Sequence, residues 1–266
     1  MTVNRDPVSH NRIAWDRLVE SDNEWTRPVS TEVIERARNG KWAVVLIGHQ
    51  EVDRSWFPAD MAGTEILCLA SGGGQQGPIF AATGAKVTVL DNSPRQLAQD
   101  EHVAARENLA IRTVLGDMRD LSVFADESFD LVFNAVSSLF CPQLDPVWRE
   151  CFRVLRPGGT LLTGFVNPDV FIFDDKALEG RGELVVKHAV PYSDLNMSEE
   201  ERQETFGKDS AIEFSHTLTD QIGGQIAAGF VLAAFTEAPH QSSPTARYMP
   251  GYYATRAIKP SSFVTH

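Results

Sequence analysis

Short runs of apolar and β-branched residues alternate with segments of helical periodicity through the middle of the chain. The runs predict five strands, at 66–69, 86–90, 111–115, 129–133 and 160–165. Between them, apolar positions three and four residues apart predict helices, one starting at Pro94 and another after Asp145. Because strands that alternate with helices pair in parallel, the pattern predicts an α/β fold with a Rossmann-like, doubly wound sheet.

The pattern changes after Asn167. Runs at 183–188 and 211–216 are typical of strands, and they flank a polar, acidic loop, so a β-rich insertion is expected. A last helix is predicted from Thr217 to Gly229, and two more strands follow at 231–237 and 252–257, which makes seven in the sheet. Gly223 and Gly224 inside that helix each cost about 1 kcal/mol relative to alanine, which suggests close approach of a neighbour.

The first quarter of the chain predicts a helical cap. Apolar residues at helical spacing over 10–19 and again over 31–39 indicate two helices, and 41–46 indicates a short strand. Four tryptophans crowd into this region: Trp15, Trp25, Trp42 and Trp56. Large aromatic residues bury most often for packing, which favours a cap sealed onto the core. The alternative, that one tryptophan closes over a cofactor, stays open.

These segments give three predicted units: a cap over 1–62, a core made of 63–166 and 217–260, and an insertion or lid over 167–216. A chain of 266 residues with 42% hydrophobic content is long enough for one α/β core with additions. The net charge of −12 disfavours nucleic acid or an anionic membrane surface as a partner.

The N-terminus has no apolar stretch of signal-peptide length, and no segment approaches about 18 uninterrupted apolar residues, so a cytoplasmic protein is expected. The three cysteines, Cys68, Cys141 and Cys151, fall at predicted core or strand-end positions, which favours buried free thiols over a disulfide. No metal-ligand spacing occurs among them, so no metal site is predicted.

The candidate chemistry starts at a glycine cluster. Gly72, Gly73 and Gly74 follow the first core strand after Ala70 and Ser71, and the second core strand ends on Asp91. Glycines let the backbone approach a ligand, and an acid about 20 residues further on can accept ribose hydroxyls, so this is a nucleotide-binding βαβ unit. The spacing Gly72-x-Gly74-x-x-Gly77 also fits a dinucleotide fingerprint, and a purely structural glycine turn remains a third interpretation.

The rest of the core carries a more specific signal. The stretches ILCLASGGG, VTVLDNS, VLGDMRDL, FDLVFNAVSSLF and RVLRPGGTLL resemble, in order and spacing, the motifs of the class I S-adenosylmethionine-dependent methyltransferases. The resemblance covers roughly Glu65 to Phe165, with further likeness after Thr217. It implies a seven-stranded sheet, mostly parallel with an antiparallel last strand, and S-adenosylmethionine as cofactor.

The resemblance also implies roles for individual residues. The methionine part of the cofactor would be held by Ala70, Ser71, Gly72 and Gly74. The ribose hydroxyls would go to Asp91, with Asn92 beside the adenine, and the adenine would be held at the Gly116, Asp117 and Met118 step. Asn134 would lie near the transferred methyl group.

Two positions depart from the family pattern. Cys68 stands where the family usually has an acid, so recognition of the cofactor amino group must rest more on backbone carbonyls. Ala70 stands where the family usually has glycine, and its added methyl group is tolerable if the backbone torsions there are ordinary.

The function implied is in-line methyl transfer to a small-molecule acceptor. A sulfonium is already an activated leaving group, so alignment carries most of the acceleration and a general base is optional. Candidate bases are His216, His188 and Tyr192, although for each a packed or surface side chain is the plainer interpretation.

Two other functions remain open from the sequence. One is a noncatalytic, regulatory module that binds S-adenosylmethionine. The other is a nicotinamide-dependent oxidoreductase, against which stand the Gly116-Asp117-Met118 step and the absence of a Tyr-x-x-x-Lys pair, since Asn196 is four places after Tyr192.

Overall fold

Nine strands occur within residues 6–261, the part of the chain that the computed structural model describes. Two of them form a hairpin in the N-terminal region, β1 (Val45–Ile47) and β2 (Gln50–Glu51). The other seven belong to one sheet: β3 (Glu65–Leu69), β4 (Lys86–Asp91), β5 (Ile111–Leu115), β6 (Phe129–Asn134), β7 (Leu155–Val166), β8 (Val231–Ala238) and β9 (Tyr252–Ile258).

The strand order in the sheet is β5-β4-β3-β6-β7-β9-β8. Strands β3 to β7 pair in parallel, and β9 pairs antiparallel with both β7 and β8. This confirms the predicted Rossmann-like sheet of seven strands with an antiparallel last strand. The chain order reverses direction across the sheet between β3 and β6, and a ligand site forms where the carboxyl ends of such strands diverge.

Eight α-helices accompany the strands in residues 6–261. They are α1 (Pro7–Glu20), α2 (Thr31–Arg38), α3 (Gln76–Ala82), α4 (Pro94–Glu107), α5 (Asp145–Val154), α6 (Asp175–Arg181), α7 (Glu199–Phe206) and α8 (Gly224–Ala227). The predicted capping signal at the start of α4 is present, since Ser93 Oγ accepts from the backbone N–H of Gln96 at 3.1 Å. The predicted last helix instead starts with a π-helical turn over Thr219–Gly223 before α8.

The central strand β3 shows why the sheet is buried on both faces. Ile66 and Cys68 belong to the apolar core on one face, and Leu67 and Leu69 belong to the core on the other. All four are fully buried. A continuous apolar run is therefore what this strand needs, because helices cover both faces of a parallel sheet.

Strand β7 begins five residues earlier than predicted. Gly158 donates its N–H to the carbonyl of Lys259 at 2.8 Å, and the N–H of Lys259 donates to Gly159 at 2.9 Å. The chain still turns within this part of β7, since Gly158 has a φ of 82° and the pairing with β6 jumps from Leu155 to Thr160.

The insertion differs from its prediction. Neither predicted strand forms: in 183–188 only Val186 makes a bridge, to Phe173, and in 211–216 only Phe214 does, to Ser193. The segment instead contains α6 and α7, together with irregular backbone. The β-rich description of 167–216 was therefore wrong, because these apolar runs lack the partner strands that a ladder requires.

The predicted cap contains α1, α2 and the β1–β2 hairpin, while its first five residues lie outside the described part. Trp42 packs edge-on against Phe57 and Phe80 of the core, as expected for a sealing residue. Trp25 is 43% exposed and stacks on His49. None of the helices within 6–261 has the length and apolar character that a membrane span needs. The three cysteines are buried and free, as predicted.

Candidate cofactor and active site

The glycine loop connects β3 to α3. Gly73 and Gly74 have φ values of 101° and 69°, a region that favours glycine. Ala70 has a φ of 47° and is held there by its N–H, which donates to the carbonyl of Leu90 at 2.7 Å. The condition under which alanine would be tolerated at position 70, ordinary backbone torsions, is therefore not met. The methyl group of this alanine sits on left-handed backbone that the usual glycine would occupy without strain.

Glycine is required at position 72 because neighbouring side chains approach its Cα closely, and not because of its backbone torsions. A Cβ at this position would lie 2.8 Å from Cβ of Gln96 and 3.0 Å from Oδ2 of Asp91. The backbone N–H of Gly72 donates to that same oxygen at 3.0 Å. Ser71, its neighbour, is buried. The loop is thus fastened to the end of β4.

Asp91 ends β4 and is 9% exposed as a residue. Its other oxygen, Oδ1, accepts from the N–H of Ser93 at 2.9 Å. Burial raises the pKa of Asp91, and the backbone N–H groups of Ser93 and Gly72 partly offset this. Each oxygen keeps a free lone pair, so the side chain retains the acceptor capacity that two ribose hydroxyls need.

Helix α1 lies against the residues that follow Asp91. The side-chain amide of Asn92 donates to the carbonyl of Val8 at 2.8 Å, and Arg12 Nε donates to the carbonyl of Asn92 at 3.1 Å. Ser93 Oγ donates to Asp16 at 2.6 Å. The Asn92 side chain, predicted to lie beside the adenine, is therefore engaged with α1.

The Gly116, Asp117 and Met118 step follows β5. The N–H of Gly116 donates to the carbonyl of Asp91 at 3.0 Å, which places the step beside the acid. Arg119 holds Asp117 with a bidentate pair, Nη2 to Oδ2 at 2.6 Å and Nε to Oδ1 at 3.2 Å. Met118 packs against the core. An adenine amino group would share the Asp117 carboxylate with this guanidinium.

Asn134 is fully buried at the end of β6. Its amide nitrogen donates to the carbonyl of Leu69 at 2.8 Å and to Ser137 Oγ at 2.7 Å, and its oxygen accepts from Thr163 Oγ1 at 2.9 Å. Both amide hydrogens are used within the protein. The residue ties β3, β6 and β7 together at their carboxyl ends, which is the edge where the methyl group was predicted to lie.

Two of the three candidate bases are committed to other bonds. Nε2 of His216 lies 2.8 Å from the carbonyl of Cys141 and donates to it, and burial lowers the pKa of this imidazole. The Tyr192 hydroxyl donates to Asp194 Oδ1 at 2.7 Å, and burial raises its pKa. His188 packs edge-on against Tyr192, and its Nε2 is buried without a partner.

A group of carboxyls near these candidates was not singled out by the sequence. Burial, with the charges of Asp194, Asp175 and Glu179, raises the pKa of Glu213 to about 8. Glu213 also raises the pKa of Tyr252, at the start of β9, to about 12, after the larger effect of burial. The sequence did contain a signal, since Glu213 is an acid between the apolar residues Ile212 and Phe214.

The comparisons with known proteins agree with this geometry. A family model described as "Methyltransferase domain" matches residues 67–163. The chain is 48% identical over 253 residues to "Uncharacterized methyltransferase YbaJ" of Bacillus subtilis, covering 95% of this chain and 98% of that protein. The chain belongs to the class I S-adenosylmethionine-dependent methyltransferase family.

Other similarities are narrower or concern the fold alone. A sterol 24-C-methyltransferase of Neurospora crassa is 38% identical over 103 residues, which cover 38% of this chain and 26% of that relative. An S-adenosylmethionine-dependent methyltransferase from Mesorhizobium loti superposes with a TM-score of 0.60 at 19% identity, covering 77% and 94% of the two chains. The [4+2]-cyclase SpnF gives 0.61 at 17% identity, covering 97% and 98%.

The residues of this methyltransferase chain fit the cofactor that its family uses. The glycine loop packs so closely on the end of β4 that a Cβ at Gly72 would lie 3.0 Å from Asp91 Oδ2, and the Asp91 carboxylate keeps acceptor capacity on both oxygens. Gln96 Oε1 is buried beside the loop without a hydrogen-bond partner. Within residues 6–261, no group of three or more His, Cys, Asp or Glu side chains is arranged to hold a metal ion.

Proposed function

We propose that this protein transfers a methyl group from S-adenosylmethionine to a small-molecule acceptor held at the carboxyl ends of the sheet strands. The observation that carries the proposal is the covering of this edge by α1 and the insertion. A small acceptor suits such an enclosed site, whereas a macromolecular acceptor needs an open surface. The net charge of −12 supports the same distinction, because it disfavours nucleic acid.

Asn11 is the centre of this cover. Its amide nitrogen donates to the carbonyls of Phe140 and Ile212, both at 3.0 Å, and its oxygen accepts from the N–H of Ile212 at 2.7 Å. The residue is 3% exposed. One side chain thus joins α1, the loop after β6 and the end of the insertion.

Further bonds join α1 to the insertion around Asn11. His10 Nε2 lies 2.9 Å from the carbonyl of Ser210, and Arg17 pairs with Asp209. Arg202 of α7 is buried and bonds to Ser210 Oγ at 3.0 Å. These contacts support a lid made of two segments that are far apart in the sequence.

The cofactor, when bound, supplies a methyl group on a positively charged sulfur. The chain itself binds and orients the reactants: Asp91 accepts from hydroxyl groups, the glycine loop offers backbone groups, and the lid excludes water. His216 and Tyr192 are held in bonds to Cys141 and Asp194, so the proposal assigns neither of them a proton transfer. His188 remains the candidate with an unpartnered ring nitrogen.

Calorimetry tests the first half of the proposal. The purified chain is titrated with S-adenosylmethionine, S-adenosylhomocysteine and NAD in separate experiments. Binding of the two sulfur ligands and not of NAD is expected. Saturable NAD binding with none for S-adenosylhomocysteine would contradict it and support the oxidoreductase interpretation.

Turnover tests the second half. S-adenosylhomocysteine release is measured with a panel of small amines, thiols, phenols and carboxylic acids, and with protein and nucleic acid as comparison acceptors. Release that depends on a small molecule supports the proposal. Tight cofactor binding with no release on any acceptor would support the noncatalytic module, and release on a protein or nucleic acid would replace the small-molecule acceptor.

A further inference from the structure

Asp100 is a buried acid beneath the glycine loop. It lies on α4, is 0% exposed, and neither carboxyl oxygen makes a hydrogen bond of ordinary geometry. A Cβ at Gly77, in the first turn of α3, would lie 3.1 Å from Asp100 Oδ1. The backbone N–H groups of Gly73 and Gly74 are near enough to favour its charged form. The Asp100 side chain therefore approaches the glycine loop from α4.

The groups around Asp100 make it hold a proton. Burial raises its pKa to about 8, and the negative charge of Asp91 on β4 acts in the same direction. Cys68 on β3 faces it as a thiol, whose own pKa is raised by burial and by Asp100. The sequence of α3 contains no titratable side chain. Asp16 on α1 adds negative charge next to Asp91.

An unpartnered buried carboxyl is costly unless something compensates for it. Nothing in the protein without cofactor compensates fully for burying the Asp100 carboxyl group. The N–H groups of Gly73 and Gly74 lie near it without hydrogen bonds of ordinary geometry, and the other ionisable groups that face it are acidic. A cation at the glycine loop would favour the ionised carboxylate, because opposite charges stabilise each other most in a poorly solvated interior.

We propose that Asp100 is a positioning residue of the cofactor site, which loses its proton when a cationic cofactor binds above the glycine loop and thereby anchors the loop against that charge. From its position on α4, Asp100 takes the place of the acid that the family usually has at the position of Cys68. In this step the O–H bond of the carboxyl group breaks, its electron pair stays on the carboxylate, and the proton passes to solvent. The inference rests on the proposed function, because it needs S-adenosylmethionine to bind.

Two features of the ligand follow from this arrangement. Both ligands carry the ammonium and carboxylate groups of an amino acid, but only S-adenosylmethionine adds a fixed positive charge, on its sulfonium. The first ligand should therefore release more protons than the second. With a carboxyl pKa of about 8, Asp100 is about 0.9 protonated at pH 7, which sets the upper limit of release from this group.

Calorimetry in two buffers of different ionisation enthalpy measures the released protons. At pH 7.0, the native protein should release up to about 0.9 proton per S-adenosylmethionine bound, and Asp100→Asn should release less by nearly that amount. Between pH 7.0 and 8.5 the ratio of the two dissociation constants should change by about eightfold in favour of the native protein. The ligand amino group titrates in the same range, but equally for both proteins, so the comparison isolates Asp100.

Glu107→Gln is the matched control. Glu107 lies on the same helix, but Thr31 and Arg106 hold its carboxyl group at 2.6 and 2.7 Å, away from the glycine loop. This variant should keep the native proton count and pH dependence. If Asp100→Asn does not fold, Asp100→Ser takes its place as a smaller side chain that cannot ionise either.

The outcomes separate the two proposals. Cofactor binding with equal proton release from native protein and the Asp100 variant would overturn the role of Asp100 and leave the proposed function standing. Absence of binding of either sulfur ligand to the native protein would overturn the proposed function itself. A lower proton count for the variant, with the control unchanged, establishes the linkage.

Discussion

The indole ring of Trp148 occupies the space where a side chain on Gly224 would begin. A Cβ at Gly224 would lie 2.6 Å from Cδ1 and 2.9 Å from Nε1 of this ring. Nε1 also donates to the carbonyl of Asp220 at 2.8 Å, which fixes the ring in place. The close approach that the sequence suggested for the glycine pair is therefore confirmed at Gly224, whereas Gly223 has only Thr219 as a neighbour, at 3.5 Å.

Gly224→Ala should consequently destabilise the protein. Helix propensity favours alanine by about 1 kcal/mol, but the overlap with Trp148 forces repacking that costs about 1–3 kcal/mol. Gly223→Ala meets no such overlap and should be neutral or stabilising by up to about 1 kcal/mol. Urea unfolding of both variants measures the difference. Equal stability of the two alanine variants would show that the ring moves aside freely.

Ala70→Gly should stabilise the glycine loop. Left-handed backbone costs a residue with a Cβ about 1–2 kcal/mol, and the greater chain entropy of glycine when unfolded removes part of the gain, which leaves about 0.5–1 kcal/mol. Ala105→Gly, at an exposed position inside α4, should instead lose about 1 kcal/mol. Thermal unfolding compares the two. A loss of stability in Ala70→Gly would argue against left-handed backbone at residue 70.

Asp91→Ala should weaken cofactor binding. A charged acceptor that holds hydroxyl donors contributes about 1.5–3 kcal/mol, which corresponds to about a 10- to 150-fold rise in the dissociation constant. Calorimetry with S-adenosylhomocysteine measures it, and Glu35→Ala on the exposed side of α2 is the control. Unchanged affinity in a folded Asp91→Ala protein would show that Asp91 does not bind the cofactor and only accepts hydrogen bonds from Gly72 and Ser93.

The two segments of the lid should become less mobile when the cofactor site is filled. Hydrogen exchange over residues 12–19 and 183–217 should slow on addition of S-adenosylhomocysteine, because ligand binding stabilises the closed arrangement. Asn11→Ala leaves two buried backbone groups of Ile212 and the half-buried carbonyl of Phe140 without their partner, so it should speed exchange in both segments and destabilise the protein by about 2–4 kcal/mol.

Asn39→Ala serves as the comparison for the lid experiment. Asn39 is exposed at the end of α2, and its side chain bonds only to the carbonyl of Glu35, at 2.8 Å. Exchange in the lid should stay native in this variant. Identical exchange of the two segments with and without ligand would contradict the small-molecule lid and favour an open, docking-type methyltransferase.

Glu213 should make stability depend on pH. The pKa of Glu213 is about 8 in the folded protein, against about 4.3 in the unfolded protein. At pH values between these two, the folded state therefore binds a proton that the unfolded state has lost. The favourable contribution of the protonated group is complete below pH 4.3 and is lost as pH rises through 8. Relative to the native protein, Glu213→Gln should therefore gain stability as pH rises from 5 to 8.5, by up to about 4 kcal/mol.

Urea unfolding at several pH values measures this gain. Glu200→Gln, an exposed acid on α7, should track the native protein throughout. A constant difference between Glu213→Gln and the native protein over the whole range would mean that Glu213 titrates normally in the folded state.

The strands of the sheet core were determined by the sequence itself. Strand β3 is an uninterrupted apolar run bounded by polar residues and glycines, and both of its faces pack against buried side chains. Strand β5 has the bounds that the pattern predicted, Ile111–Leu115. Such signals are local, because the period of apolar residues and the turn residues at each end lie within a few positions of each other.

The insertion shows what local signals leave undecided. Val185 and Val186 form a β-branched run, yet they are 44% and 69% exposed, and they pair with the short segment 172–174, which is not a strand. The acidic stretch 199–206 forms α7, although its residues show little apolar periodicity. Strand pairing depends on residues distant in the sequence, so the choice between strand and irregular backbone belongs to the tertiary structure.

The candidate site divides in the same way. The sequence located the glycine loop and Asp91, because their spacing along a strand, turn and helix is a local pattern. Only the tertiary structure gave Ala70 its left-handed backbone, held by the carbonyl of Leu90, and brought Asp100 beneath the loop. These relations arise where separate elements meet, and the energy of each depends on burial and on neighbours that no stretch of sequence specifies by itself.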